Sequence, residues 1–288
     1  MCQTVNKYTA KLNQSARLCR SMDFFAYCTK IADEIAIAID PYIGSRDGGK
    51  NVGMGADGTP TTYLDKLAED IVLKNLHEIG ANVIVISEEA GVVEITPGAQ
   101  DIIYLDPIDG TFNAIANIPI YSVSMAYCSG GRLIKGFISN LATGEIFMAE
   151  KGKGATKDGK PLNTSPITNL REASCAMYLN LKDGGSDRLL PIASSLRRTR
   201  HLGSSALELA YVAAGSLDAY VDTRNLLRIT DAAAGILLCE EAGGIVSAPD
   251  GTPLSLPDTI QSGVALIASN NHLYEKILAL INQNGGEK

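Results

Sequence analysis

Residues 101–113 read DIIYLDPIDGTFN. A four-residue apolar run, Ile102–Leu105, ends in Asp106. Pro107 interrupts it, Asp109 follows three residues after the first acid, and Gly110-Thr111 closes the stretch. Such a run reads as a buried strand, and its end is a poor place for two carboxylates, which repel one another and lose hydration together. A hard divalent cation would offset that cost. A strand ending in Asp106 projects its acid from the carboxyl edge of a sheet, where open α/β sheets bind ligands. A turn at Pro107-Ile108 would bring Asp109 to the same point, with the Ile108 carbonyl between them. Three oxygens in one arc suit Mg²⁺, and the amides of Gly110 and Thr111, opening a short helix, suit an anion beside it. The octapeptide reads equally as an acidic turn with Asp109 capping a helix, so the rest of the chain has to decide.

Other acids fall at element ends. NVIVISEEAG is a second apolar strand running into Glu88 and Glu89. RITDAAAGILLCEEAGG sets Asp231 at the start of an apolar helix, and Asp57 and Asp65 flank the start of another. Each alone is an ordinary cap. Together they would supply ligands for two or three magnesium ions that bridge a phosphate and activate a water. Asp57 also reads as a turn residue, Arg228 as the partner of a nearby acid, Glu89 and Glu240-Glu241 as solvated or structural, and Met125 and Cys239 as core.

Along the chain, residues 1–21 read as a loose polar extension, with Met22 as an alternative start. Asp23 caps a helix through Ile39, which Pro41 ends. GSRDGGKNVGMGADG is a glycine-rich loop, and Thr59-Pro60 reads as the cap and first residue of a helix to His77. Strands follow at 82–87, 101–106, 121–128, 132–140 and 144–150, the last three as an antiparallel meander. From 171 the pattern alternates: strand 174–180, helix 186–196, strand 198–202, helix 204–214, strand 217–222, helix 230–242, strands 244–248 and 264–269, helix 271–282. Alternation implies layered α/β structure, so the expected organisation is an α+β half over 22–170 and an α/β half over 171–288 with a cleft between them.

The chain has 288 residues, 45% of them hydrophobic and 20% charged, with net charge −7. This argues against nucleic acid or an anionic membrane as partner, and a phosphorylated substrate would need local cations. No apolar run is long enough for a membrane helix and no secretion signal is evident, so a cytoplasmic location is expected. Six cysteines without C-x-x-C spacing read as reduced and mostly buried, and three scattered histidines make zinc improbable. GSRDGGKN lacks the hydroxyl of a P-loop, and neither it nor GMGADG follows an apolar strand, as phosphate and dinucleotide loops require.

DPIDGT, SEEAG and TDAAAG…EEAGG together resemble the inositol monophosphatase superfamily of Mg²⁺-dependent, lithium-sensitive phosphatases, over roughly residues 23–282. MGADGTPT and VDTRNLLRITD look most like the archaeal-type branch, which acts on fructose 1,6-bisphosphate and inositol monophosphate. The resemblance implies the sugar-phosphatase fold, an α-β-α-β-α five-layer sandwich, in a homodimer. It implies that Glu88, Asp106, the Ile108 carbonyl and Asp109 form the main metal site, that Asp231 is shared with a second ion, and that Asp65 helps hold further metal and the attacking water. By the same resemblance Thr111 orients that water, the Gly110 and Thr111 amides beside Asp109 meet the phosphate, and Arg200, Ser205 and Arg224 contact substrate. The catalytic set is thus Asp65, Glu88 and Thr111. Ser87 stands where many relatives have glycine, Thr230 where many have tryptophan, and Asp222 where animal relatives carry an inositol-binding glutamate, so inositol specificity is what these departures put in question. A 3′-phosphoadenosine or NADP phosphatase is the alternative, and a non-enzymatic binding module fits poorly because every metal acid is intact.

Overall fold

The computed structural model describes residues 23–178, 189–257, 259 and 261–283. The expected N-terminal extension, the end of the strand at 179–180 and the first residues of the helix at 186–188 lie outside them.

Two helices form the first layer, α1 (Phe24–Ile39) and α2 (Tyr63–Glu78). Asp23 caps α1 by accepting from the Phe25 amide. Helix α2 begins three residues later than Thr59-Pro60 suggested. Its cap is Thr62, locked in a reciprocal capping box with Asp65, which satisfies two otherwise orphaned amides. Pro60 instead lies in β2 (Pro60–Thr62), paired antiparallel with β1 (Asn51–Met54), so the glycine-rich loop is a hairpin.

The second layer is an eight-stranded sheet made of β3 (Val83–Ser87), β4 (Gly91–Glu94), β5 (Asp101–Asp109), β6 (Ser122–Ser129), β7 (Arg132–Asn140), β8 (Ile146–Glu150), β9 (Gly154–Lys157) and β10 (Lys160–Pro161), in the order β10-β9-β8-β7-β6-β5-β3-β4. Only β3 and β5 pair in parallel, and β6, β7 and β8 form the expected meander. A short helix α3 (Thr111–Ile115) follows β5. Beyond Ser174 come β11 (Ser174–Met177), α4 (Leu190–Ser195), β12 (Arg198–Arg200), α5 (Ser205–Ala213), β13 (Ala219–Leu227), α6 (Ile229–Glu241), β14 (Ile245–Ser247), β15 (Val264–Ser269) and α7 (Tyr274–Gln283). Their strands make a five-stranded sheet, β12-β11-β13-β15-β14.

Three apolar cores hold five layers together, the central one packing both sheets against the helices between them. Ile31, Ile35, Leu64 and Val72 of α1 and α2 pack on Val85, Leu105 and Phe137 of the large sheet. Leu207 and Leu209 of α5 and Ala233 and Leu237 of α6 fill the space between the sheets with Phe147 and Tyr220. Ile192 and Ile277 of α4 and α7 cover the outer face of the small sheet with Val221 and Ile267. α5 and α6 are buried nearly all round, which is why their sequences are apolar with little periodicity. Met125 and Cys239 are core, as are Cys28, Cys128 and Cys175, all free thiols. Glu240 and Glu241 are structural: they meet Lys151 and the Gly152 and Gly154 amides.

Candidate metal centre and active-site cleft

Strand β5 does not end at Asp106. It runs on through Pro107 and Ile108 to Asp109, with the register against β6 slipping between the two acids: Asp106 faces Ser124 and Asp109 faces Ser122. Three steps on one strand are matched by two on the other. In a regular strand residues three apart point to opposite faces. The extra residue is a bulge, and it returns both carboxylates to one side. The expected turn is therefore a strand irregularity with the same outcome.

Asp106, Asp109 and Asp231 bring one carboxylate oxygen each within 4.8 Å of one another, and all three are buried. Asp231 arrives from the first turn of α6. Glu88, just past the end of β3, and Asp57, in the hairpin, complete the acid set around Arg228. The Arg228 guanidinium donates to Asp57 and to Asp231 at 3.0 Å each and to Glu88, and its Nη2 lies 3.8 Å from Asp106. Arg228 thus engages four acids rather than the single partner its sequence context suggested. Glu88 and Asp106 are pushed well above the usual carboxylate range, chiefly by burial, and Asp109 up to about 7, by burial and then by the charge of Asp231.

These residues fit a hard divalent cation. The donors are all oxygens, and Oδ2 of fully buried Asp106 has no hydrogen-bond partner, an uncommon state for a buried carboxylate oxygen. Asp109 divides its oxygens: Oδ2 accepts from Ser204 Oγ and from the Ala206 amide, each at 2.7 Å. The N-terminus of α5 therefore orients Asp109 through Oδ2, while Oδ1 accepts no hydrogen bond among the described residues.

Asp65 also divides its oxygens. Oδ2 belongs to the capping box with Thr62, and Oδ1 accepts from Thr111 Oγ1 at 2.7 Å. That hydroxyl is also 2.9 Å from the Ile108 carbonyl. Burial raises Asp65 against the opposing pull of the Thr62 and Thr111 hydrogen bonds. Between the acids and Thr111 sits Gly110, at φ +97°, where a Cβ would come 2.8 Å from the Ile120 carbonyl oxygen. No other residue fits there.

These groups share one cleft of about 1000 Å³. Asp57, Asp65, Glu88, Ile108, Asp109, Gly110, Thr111, Ser205, Arg224 and Asp231 all line it. Arg200 does not: it is exposed on β12, and its Nη1 donates to the neighbouring Thr199 carbonyl. His201, the next residue, lines the cleft instead. Arg224 grips Asp222 with Nε and Nη2, at 3.0 and 2.7 Å, and lies 4.6 Å over the Tyr178 ring. Ser205 Oγ bonds the Tyr178 and Tyr220 hydroxyls. Glu89 is half-buried rather than solvated: it accepts from Thr61, ties the hairpin to β3, and is raised to about 7, mainly by burial. Sequence reasoning did not find Glu208, nor Tyr178 and His201, which meet each other across 23 residues of chain.

A five-layered α/β body whose cleft joins a buried all-oxygen acid cluster to a glycine–threonine turn defines a metal-dependent phosphatase. Residues 26–285 match the inositol monophosphatase family, and the chain belongs to it. It is 38% identical over 262 residues to a fructose-1,6-bisphosphatase/inositol-1-monophosphatase of Methanothermobacter thermautotrophicus, covering 86% of this chain and 93% of that protein. It is 35% identical to a bifunctional NADP phosphatase/NAD kinase of Methanocaldococcus jannaschii, with 90% of this chain matching 50% of that longer protein. Among solved structures, one described as an inositol monophosphatase-fructose 1,6 bisphosphatase superposes with a TM-score of 0.82, at 31% identity and covering 90% of this chain and all of the other.

Proposed function

We propose that this chain hydrolyses fructose 1,6-bisphosphate to fructose 6-phosphate and inositol 1-phosphate to inositol, with two or three Mg²⁺ ions held by Glu88, Asp106, the Ile108 carbonyl, Asp109 and Asp231. The observation that carries this reading is the convergence of Glu88, Asp109 and Asp231 with Thr111 and Arg224 on one cleft, with Asp106 buried directly beside Asp109 and Asp231. Bound magnesium supplies charge neutralisation for the phosphoryl oxygens and lowers the pKa of water. The chain supplies the rest. Thr111 Oγ1 shares its proton between Asp65 Oδ1 and the Ile108 carbonyl, so its lone pairs accept from an attacking water and fix its direction. A proton leaving that water passes to Thr111 Oγ1 as the hydroxyl proton moves to Asp65 Oδ1, where burial favours the neutral acid. Phosphate oxygens are met by the Gly110 and Thr111 amides. Helix α3 has only five residues, so local amides rather than a macrodipole do this. Arg224 stands off the acid cluster with Nη1 uncommitted among the described residues, placed for a second phosphate.

An NADP phosphatase is the second reading, favoured by the Methanocaldococcus relative. One experiment ranks the two: phosphate release from fructose 1,6-bisphosphate, inositol 1-phosphate, NADP and 3′-phosphoadenosine 5′-phosphate at fixed magnesium, with an EDTA control. A clear preference for NADP replaces the first reading, and release that survives EDTA rejects both. The homodimer and a place in gluconeogenic sugar-phosphate metabolism extend the same reading by resemblance, and the division at residue 170 and a cytoplasmic site extend it from the sequence pattern. Analytical ultracentrifugation tests the first of these.

A further inference from the structure

His201 reaches the cleft on a loop, yet that loop is fixed at every polar atom of the residue that follows. The Leu202 amide donates to Oε1 of fully buried Glu208, and the Leu202 carbonyl accepts from Asn113 Nδ2 at 2.7 Å. Asn113 Nδ2 spends its second hydrogen on the Ile120 carbonyl at 2.8 Å. Gly203 follows at φ +82°, where a Cβ would sit 3.0 Å from Asn113 Nδ2, so the clamp needs glycine there. Ser204 then caps α5 and holds Asp109. The loop is pinned between α3 and α5.

What it presents is the imidazole of His201, edge-on to Tyr178 at 4.3 Å between ring centres. Tyr178 in turn carries the Arg224 guanidinium. His201 is exposed to the cleft, neither of its ring nitrogens has a hydrogen-bond partner among the described residues, and partial desolvation, with the charge of Arg224, holds its pKa below the ordinary value. This part of the cleft wall is thus an imidazole, an aromatic ring and a guanidinium that is paired with Asp222. None of the three side chains hydrogen-bonds Asp106, Asp109 or Asp231 among the described residues.

Building on the phosphatase reading, we propose that His201 is a specificity-determining residue that hydrogen-bonds the part of the substrate remote from the scissile phosphate, sugar hydroxyls or a second phosphate, and that Asn113 and Glu208 are its positioning residues. The test compares His201→Ala, Asn113→Ala and the double variant on fructose 1,6-bisphosphate and on p-nitrophenyl phosphate, with magnesium present. The nitrophenyl ring offers no hydroxyl or second phosphate. Each single variant is expected to raise KM for the bisphosphate by roughly ten-fold with kcat within about two-fold, and to cost the nitrophenyl ester less than about three-fold in kcat/KM. Because Asn113 acts through His201, the double variant is expected to be no worse than the poorer single. Calorimetric binding of fructose 6-phosphate to the magnesium-loaded protein should weaken in parallel. Equal losses on both esters, or a double variant whose losses multiply, overturn the proposal. An inactive wild type removes the phosphatase reading and this inference together; an active wild type with an unchanged His201→Ala removes the inference alone.

Discussion

Nη1 of Arg228 lies 3.0 Å from Oδ2 of Asp57, 171 positions away in the chain, and the same nitrogen reaches Glu88. A single guanidinium at the head of α6 therefore joins the hairpin, the end of β3 and the first turn of its own helix. It balances carboxylates that would otherwise be buried together without a counter-charge.

Arg228→Met is the direct test of that role. Leaving buried acids unbalanced costs about 3–5 kcal/mol, and in a chain of this size each kcal/mol moves the midpoint by roughly 2–4 °C. In EDTA the variant is expected to melt on the order of 10 °C lower. Magnesium no longer competes with a fixed cation, so its stabilising effect should be larger in the variant than in wild type. Melting curves in EDTA and across a magnesium series check both. Unchanged curves would show the guanidinium to be electrostatically idle.

The pH dependence of the metal-free protein follows with a definite sign. Glu88, Asp106 and Asp109 all have folded-state values raised above their ordinary ones. Folding then favours their protonated forms, so the stability they contribute is complete below the ordinary carboxylate range and is lost as pH rises through the raised values. In EDTA the melting temperature is expected to fall between about pH 5.5 and 8, a window in which exposed carboxylates are already ionised. Saturating magnesium should flatten or reverse the slope, because the cation binds the deprotonated acids. A rising EDTA curve over this window would contradict the assignment.

Asp109→Asn should separate folding from activity. Its Oδ1 can still accept from Ser204 and Ala206, but its amide group then faces the acid cluster and removes an anionic ligand. Phosphatase activity is expected to fall at least ~100-fold, on the scale of several kcal/mol of transition-state stabilisation. The EDTA melting temperature should hold or rise, since a repelling carboxylate is gone. Near-normal turnover at high magnesium would refute the ligand role.

Arg224→Ala addresses the second phosphate. A bidentate guanidinium–phosphate contact contributes roughly 1.5–3 kcal/mol, so kcat/KM for fructose 1,6-bisphosphate should drop ~10- to 100-fold, with a far smaller loss on inositol 1-phosphate. The bidentate pair with Asp222 tempers the expectation toward the lower figure, because two of the guanidinium's nitrogens are already engaged. Equal losses on the two substrates would make Arg224 a support for Tyr178 and Asp222 instead.

Much of this site was written locally. Acids at the ends of apolar runs, at 88, 106 and 109, and an acid in the first turn of an apolar helix, at 231, stand out because they break a hydrophobic pattern where an element ends. Two threonines compete for the cap of α2. Thr59-Pro60 has the proline signal, but Thr62 has an acid three residues on, and the reciprocal bond with Asp65 prevails. The β1–β2 hairpin left no alternation because all of β1 is exposed. The bulge in β5 reads as a turn in the sequence, since Pro107 signals a break without saying which kind. The clamp on Leu202 had no sequence signal at all: Asn113 and Leu202 are 89 residues apart, and each looks ordinary alone.

The groups proposed to break the bond and those proposed to face the rest of the substrate come from different stretches of chain. Asp57, Asp65, Glu88, Asp106, Asp109 and Thr111 all precede residue 112, whereas Tyr178, His201, Ser205 and Arg224 all follow residue 177, and only Arg228 and Asp231 cross from the second stretch into the first set. Evolution can therefore edit one without rewriting the other. On that proposal, exchanges confined to the later segment would retune which ester is accepted and leave the acids before residue 112 in place. Two relatives that each share over a third of their aligned residues with this chain carry names as different as fructose-1,6-bisphosphatase/inositol-1-monophosphatase and NADP phosphatase/NAD kinase.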